Sequence, residues 1–551
     1  MKTRTTAILA VCAAAAVVAG LAWQRYWYYL PGLLSDLRDP VGTNEPVVWQ
    51  RGPETAEVPP SRRPPNIIVI LADDLGFNDL TFNGGGVAAG AVPTPNIDSI
   101  ARDGVTMVNG YAGNATCAPS RAAILTGRYA TRFGFEFTPA PVVFSRLIHK
   151  MSADRPPSIY HAELEAATPP MPAMAVPTRE VMLGEVLQKQ GYHTLFLGKW
   201  HLGETPETQP QRRGFDETLG FLQGAALFLP RDSAEAVNSH QDFDPIDRFL
   251  WANLRFAVQY NGGPRFAPSA YLTDYLADEA SKAIVANRNR PFFMYLAFNA
   301  VHTPLQALKS DYDALANIPD HRLRVYAAMV RALDRGVGKV LDTLKANGLE
   351  DNTLVVFTSD NGGAHYIGLP DINRPYRGWK ATFFEGGVHV PYFVKWPAVL
   401  PRGSRFDPPV AHIDILPTAV AAAGATLPSD RVIDGVDLVP YITGAKADRP
   451  HQSLFFSDGQ YRMAIVGDWK LQVSSTQQRA WLFDLATDPT EHLDLAGARP
   501  EVVAELQAVL QRHAAEQVKP LWPSLLEHPI PVDHPGGMPI GPADQYVYWS
   551  N

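Results

Sequence analysis

The sequence predicts an α/β fold. A large, mainly parallel central sheet is flanked by helices, and a smaller C-terminal antiparallel sheet carries one helix. Two patterns predict it. From residue 64 to about 444, short continuous apolar runs rich in β-branched residues alternate with stretches of helical periodicity. Such runs mark strands buried on both faces between helices. Beyond Gly444 the apolar runs follow one another closely, and a single amphipathic helix comes after them, the mark of an antiparallel meander. A chain of 551 residues has room for both parts.

The N-terminus is read first. Lys2 and Arg4 precede an apolar run from Ala7 to Trp23, the basic-then-apolar order of an export signal. The run is close to the roughly 20 residues needed to span a bilayer. Trp23, Tyr26, Trp27, Tyr28 and Tyr29 follow it, as in an interfacial belt. Residues 1–30 are therefore read as a signal peptide or signal anchor. The anchor is preferred, because Val18-Ala19-Gly20 is a poor cleavage site. Either form exports the remainder, to the periplasm or cell surface. An uncleaved helix over residues 7–23 would tie it to the inner membrane. Residues 31–63 lack periodicity and read as a linker.

The catalytic unit is expected over residues 64–444. Its expected strands are Asn66–Ala72, Tyr192–Leu197, Pro291–Phe298, Thr353–Ser359 and Val390–Trp396. Its expected helices are Asn96–Arg102, Val181–Gln190, Leu272–Asn287 and Arg322–Ala346, the first two closed by Gly104 and Gly191. The Pro-rich stretch 136–178 reads as an inserted rim. A C-terminal subdomain over 445–525 holds short strands at Met463–Val466, Trp469–Val473 and Trp481–Leu485, then a helix over Pro500–Glu516. Residues 526–551 read as a tail that wraps the body and carries no chemistry.

Composition narrows the function. Hydrophobic residues make up 46% and charged residues 19%, as in globular proteins. The net charge is −8 and no Lys/Arg stripe appears, which argues against a nucleic-acid partner. The two cysteines are Cys12 and Cys117, so no disulfide framework can be inferred.

Polar residues gather after the strands. Asp73-Asp74 follow the first, Gly198-Lys199-Trp200-His201 the second, Asn299 and His302 the third, and Asp360-Asn361-Gly362-Gly363 the fourth. Ligands of open α/β sheets bind outside the carboxyl ends of the strands, so these segments share one edge. Asp73, Asp74, Asp360 and Asn361 are hard oxygen donors, and carboxylates crowded together need a cation. The donor set suits Ca²⁺, with Mg²⁺ an alternative, and does not suit zinc. Cys117 lies in Cys117-Ala118-Pro119-Ser120-Arg121, poor company for a core thiol. A helix expected to begin near Ser120 would offer free N–H groups and Arg121 to an anion.

The run C-x-P-S-R-x-x-x-L-T-G-R, from Cys117 to Arg128, resembles the signature of type I sulfatases. These are the arylsulfatase-like, formylglycine-dependent members of the alkaline phosphatase superfamily. The resemblance extends over roughly residues 64–515. It includes Asp73-Asp74-Leu75-Gly76, Thr94-Pro95-Asn96-Ile97-Asp98, Gly198-Lys199-Trp200-His201-Leu202-Gly203 and His302-Thr303-Pro304. It continues through Ser359-Asp360-Asn361-Gly362-Gly363, Arg377-Gly378-Trp379-Lys380 and Glu385-Gly386-Gly387-Val388-His389. It implies sulfate-ester hydrolysis, with Cys117 oxidised to formylglycine by a maturation enzyme. It also implies that Asp73, Asp74, Asp360 and Asn361 hold Ca²⁺ together with residue 117. Arg121 and Lys199 would stabilise the nucleophile, His201 would contact its hydroxyl, Lys380 would bind sulfate and His302 would protonate the leaving group. The substrate implied is an aryl or carbohydrate sulfate. Arg132, His365, Arg374 and Arg377 are candidates to meet an anionic sugar, and Tyr366 and Tyr376 to stack on a ring. The same metal edge would suit a phosphate mono- or diester or phosphonate hydrolase. A membrane-anchored binding protein without activity is the alternative of another kind.

Overall fold

The structure, a computed structural model, describes residues 25–151 and 156–551 with isolated positions between 9 and 23. The expected span 7–23 therefore lies largely outside the described residues. Among those described, no helix is long and apolar enough to cross a membrane.

Ten strands build the central sheet. They are β1 (Asn66–Ala72), β2 (Val105–Met107), β3 (His193–Lys199), β4 (Glu217–Phe221), β5 (Val258–Tyr260), β6 (Arg265–Phe266), β7 (Phe292–Ala297), β8 (Thr353–Ser359), β9 (Tyr392–Lys395) and β10 (Ser404–Phe406). Their order is β10-β2-β9-β8-β1-β7-β3-β4-β5-β6. The middle five, β8-β1-β7-β3-β4, are parallel. β9 runs antiparallel to β8. The sequence reading found the long strands and missed β2, β4, β5, β6 and β10, which are too short to show a period.

The pleat explains the uniform apolarity of β1. Ile68 and Ile70 point into one core, and Ile67, Val69 and Leu71 into the other. All five are fully buried. Burying each such side chain contributes roughly 1.5–3 kcal/mol. The first core is closed by α1 (Pro95–Asp103), α4 (Leu272–Asn287) and α5 (His321–Ala346). The second is closed by α2 (Cys117–Thr126), α3 (Leu183–Lys189) and α6 (Ile415–Ala422). Local signals set the ends. Pro95 opens α1, the Asp320 carboxylate accepts from Leu323 N at 2.7 Å to cap α5, and Gly127 at φ 65° terminates α2.

The C-terminal sheet has four antiparallel strands, β11 (Ser453–Asp458), β12 (Tyr461–Val466), β13 (Trp469–Ser474) and β14 (Arg479–Asp484). One face carries α7 (Pro500–Ala515) through Leu506 and Leu510. The other face places Tyr461, Met463, Trp481 and Phe483 in the first core. Fully buried Lys470 binds this sheet to the body, with Glu385 at 2.7 Å and Glu491 at 2.9 Å.

Two segments do more than the sequence reading expects. Residues 31–63 are not a free linker. A helix over Leu30–Arg38 packs on the helix Pro245–Asn253. The Asn253 side chain accepts from Gly32 N at 2.8 Å and donates to Tyr28 O at 3.0 Å. Farther on, Trp49 is buried and donates to Glu279 at 2.9 Å. Single anchors hold this belt, so no periodic face advertises it. The tail is also integrated. β15 (Leu526–Pro531) pairs with β16 (Tyr546–Ser550) and with Ile159–Tyr160 of the rim.

One buried pair gives a stability prediction. His451 Nε2 lies 2.7 Å from Asp414 Oδ1. Burial alone would lower the histidine, but Asp414 more than offsets it and holds the imidazole above its ordinary 6.5. The protonated form is thus favoured in the fold. Its contribution is complete below pH 6.5 and fades as pH rises through the raised value. His451→Gln is expected to lower the melting temperature more at pH 6 than at pH 9. An equal loss at both would show that the contact is not ionic.

Candidate active site

The carboxyl ends of β1, β3 and β8 bring the polar segments to one edge. Asp73 and Asp74 follow β1 directly, Lys199 ends β3, and Asp360 and Asn361 follow β8. β3 reaches this position because Gly198, at φ 102°, lies against β7: a Cβ there would meet Ala297 O at 1.8 Å. Asp74 and His201 adopt φ values of 58° and 61°. Left-handed non-glycine residues cost of order 1–3 kcal/mol and concentrate at functional sites.

Cys117 stands at the first position of α2, not ahead of a helix beginning near Ser120 as the sequence suggests. Pro119 is accommodated within the first turn, where its missing N–H costs nothing. The helix N-terminus therefore points at residue 117 itself. Cys117 Sγ is 3.7 Å from Asp73 Oδ1 and 3.8 Å from Asp74 Oδ1, and Lys380 Nζ donates to it at 3.1 Å.

The charges alternate around this thiol. Lys199 Nζ grips both Asp73 oxygens at 2.8 and 2.7 Å. Arg121 binds Asp360 through Nε and Nη2, each at 2.8 Å, and donates to Lys199 O at 3.0 Å. Lys380 reaches both oxygens of Asp74 at 2.7 and 2.9 Å. Asn361 Nδ2 and Tyr366 OH donate to the same carboxylate at 2.8 and 3.1 Å. Asp74 N approaches Asp360 Oδ1 at 3.2 Å. His302 Nε2 lies 3.6 Å from Asp74 Oδ2 and 3.4 Å from Lys380 Nζ.

Burial and neighbours split the carboxylates. Desolvation pushes Asp73 up to about 8, assisted by Asp360 and opposed by Lys199. Asp74 meets the same burial, yet Lys380, His302 and Lys199 hold it below the usual range. Asp360 is lowered as well: burial works against its charge, and Arg121 and Lys199 overcome it. His201 is driven well down by burial and by Lys199 and Arg121. His302 is lowered by burial, with Asp74 and Asp73 pulling the other way.

The donor set fits a hard cation. Among the described residues, Asp73, Asp74, Cys117 and His302 place one ligand atom each within 4.8 Å of one another. Asn361 Oδ1 is buried without a hydrogen-bond partner, and an amide oxygen aimed at no donor suits an oxygen-ligated ion. Asp360 falls outside that tight group, and its carboxylate is shared with Arg121.

Cys117, His201, His302 and Lys380 line the cavity above the edge, together with His365 and Tyr366. Lys199 and Arg121 sit beneath, fully buried. Gly224 backs His201, since a Cβ there would meet the ring at 2.7 Å. Behind α2, Ser120 Oγ meets His412 Nδ1 at 3.1 Å, and His412 Nε2 meets Thr358 at 2.9 Å.

Several expected substrate contacts lie elsewhere. Arg132 is taken by Asp434 at 2.7 Å, and Arg377 by Asp533 at 2.7 Å. Arg374 is exposed and paired with Asp371 at 2.9 Å. Tyr376 stacks on His389 at 4.4 Å. Asn299 ties the loop at Ala226, donating to its carbonyl at 2.8 Å. Conversely, the sequence reading missed the tail and the belt. Ile530, Trp549 and Asn551 line the cavity, as do Pro31, Gly32, Ser35 and Asp39. No motif marks them, because only the fold brings them there.

Acidic, basic and nucleophilic groups at the carboxyl edge of a mainly parallel sheet define a hydrolytic α/β enzyme. The sulfatase family model matches residues 65–425, and the chain belongs to the sulfatase family, the sulfuric ester hydrolases. It is 35% identical over 417 residues to the N-acetylgalactosamine-6-sulfatase of Mus musculus, covering 74% of this chain and 72% of that protein. It is 32% identical over 498 residues to the steryl-sulfatase of Rattus norvegicus, covering 77% and 78%. The crystal structure of Ps i-CgsB in complex with k-i-k-neocarrahexaose superposes with a TM-score of 0.69 at 32% identity. It covers 84% of this chain and 95% of that one.

Proposed function

We propose that this chain hydrolyses sulfate esters through a formylglycine made from Cys117 by a maturation enzyme, with Ca²⁺ or Mg²⁺ at the acidic edge. One observation carries the reading: the only cysteine of the folded body lies at a helix N-terminus, within 3.8 Å of two carboxylates and 3.1 Å of a lysine. A thiol used as such is served by a general base, not by crowded carboxylates. The formylglycine hydrate would supply a hydroxyl nucleophile. Asp73, Asp74, Asp360 and Asn361 would hold the cation, whose chemistry is to withdraw charge from the sulfate oxygens.

The chain's own groups do the rest. Lys380 faces the cavity and binds sulfate, while Arg121 and Lys199 hold the carboxylates and add positive potential from beneath. His201 lines the same cavity as residue 117 and would contact the hydroxyl of its hydrate. His302 presents Nε2 toward Asp74 and Lys380 and delivers a proton to the departing oxygen. Most of the acceleration is positioning and fixed electrostatics in a water-poor site. Export through the N-terminal segment, with membrane attachment by residues 7–23, belongs to the same proposal. Fractionation of cells for the full chain tests it.

Parallel assays on sulfate and phosphate esters test the activity. A preference for phosphate or phosphonate esters would move the enzyme to the other hydrolase class. His302→Ala tests the proton donor. It is expected to slow esters of weakly acidic alcohols by roughly 10²–10⁴-fold and esters of acidic phenols far less, since a good leaving group needs little proton assistance. Equal losses on both would make His302 a sulfate-binding or structural residue.

A further inference from the structure

The cavity above Cys117 is much larger than a sulfate group, and its walls change character away from the charged end. It encloses about 880 Å³, within the range of sites that hold small molecules. Cys117, His201, His302 and Lys380 close one end. Away from them the lining includes Phe144, Met171, Phe249, Leu250, Leu254 and Trp549. Phe144 and Phe249 meet edge to face at 5.2 Å.

The ionic groups on the far wall already have partners. Arg255 pairs with Asp36 at 2.5 Å, and Arg265 with Asp39 at 2.6 Å. Asn253 spends its amide on Gly32 N, Tyr28 O and Phe249 O. These pairs pin the helix Leu30–Arg38 as one wall of the cavity. The arginines that a polyanionic saccharide would seek, Arg132, Arg374 and Arg377, are paired outside it. Other polar side chains of the lining bond within the protein: Gln223 donates to Glu204 at 2.8 Å, Gln209 to Glu204 O at 3.0 Å and Thr168 to Leu164 O at 3.1 Å. Polar groups engaged in this way favour a ligand with few hydroxyls of its own. Hydroxyls buried without partners oppose binding, whereas apolar surface removed from water favours it.

We infer that the alcohol this enzyme releases is bulky and apolar, a polycyclic alcohol carried as its sulfate ester, with its body between the rim, the helix Pro245–Asn253 and the belt helix Leu30–Arg38. The inference rests on the sulfatase chemistry proposed above. In the net reaction, water supplies the oxygen that ends on sulfur, the bond from sulfur to the alcohol oxygen breaks, and that oxygen takes a proton.

The test measures inorganic sulfate released by the matured full chain from three esters: a sulfated sterol, a 6-sulfated N-acetylhexosamine and p-nitrophenyl sulfate. The expected kcat/KM for the sterol sulfate is at least about tenfold above that for the sugar sulfate. In Phe249→Ala and Val142→Asp, the ratio of sterol sulfate to p-nitrophenyl sulfate is expected to fall at least about tenfold. Val142 is half-buried on the cavity lining, so its variant keeps the test decisive if Phe249→Ala fails to fold. A preference for the sugar sulfate, or ratios that do not move, overturns the inference and leaves the catalytic reading standing. Failure to release sulfate from any of the three takes down both.

Discussion

Cys117→Ala is expected to abolish sulfate release, by about 10⁴-fold or more, because under the proposed mechanism it removes the atom from which the nucleophile is made. The fold should survive. The thiol's close contacts are polar, to Lys380, Asp73 and Asp74, so truncation opens no apolar cavity of the kind that costs several kcal/mol. Helix α2 keeps its other buried residues, among them Ala118, Ala122, Ile124 and Leu125. The melting temperature should stay near that of the parent chain. The same residue gives a chemical test in the parent protein. Mass spectrometry of the peptide 103–121 from active enzyme should show the thiol replaced by an aldehyde or its hydrate. An unmodified cysteine in a fully active preparation would sink the mechanism.

The sequence made the long strands legible for a physical reason. In β1, β3, β7 and β8 both faces are buried, so consecutive apolar residues form a run that stands out, with the polar residues at its ends. Residues that follow such strands must lie at the sheet edge, which is why Asp73, Asp74, Lys199, His302, Asp360 and Asn361 could be placed together before any coordinates. The start of α2 was harder. Proline inside the first turn looks like a boundary, and the helix begins two residues before it, at Cys117. The cavity walls were not legible at all. Belt, rim and tail are joined by isolated anchors such as Asn253 and by β15 pairing with Ile159–Tyr160. Neither leaves a period in the sequence. Arginine was the misleading signal: Arg132 and Arg377 suggested an anionic substrate, yet each is committed to a carboxylate that fastens one segment to another.

Asp360→Ala and Asp360→Asn are expected to separate two roles of one carboxylate. Asp360 is fully buried and faces Arg121, which is equally buried, through two contacts at 2.8 Å. Removing one partner of such a pair leaves an uncompensated buried charge, at a cost of about 3–5 kcal/mol. Arg121 keeps Lys199 O and a distant Asp73 oxygen at 3.6 Å, which compensate only in part. The alanine variant should therefore lose bound cation, lose activity and melt well below the parent. The asparagine variant keeps the shape and an acceptor oxygen for Arg121 but discards the negative charge. It should lie between parent and alanine variant in stability, yet still bind Ca²⁺ or Mg²⁺ poorly, because hard cations depend on anionic oxygen. Metal content by elemental analysis, read beside calorimetry on the same samples, distinguishes the outcomes. Full metal occupancy in Asp360→Asn would remove Asp360 from the ligand set and leave it as the partner of Arg121. Stoichiometric zinc in the parent protein, without calcium or magnesium, would contradict the oxygen-donor argument itself.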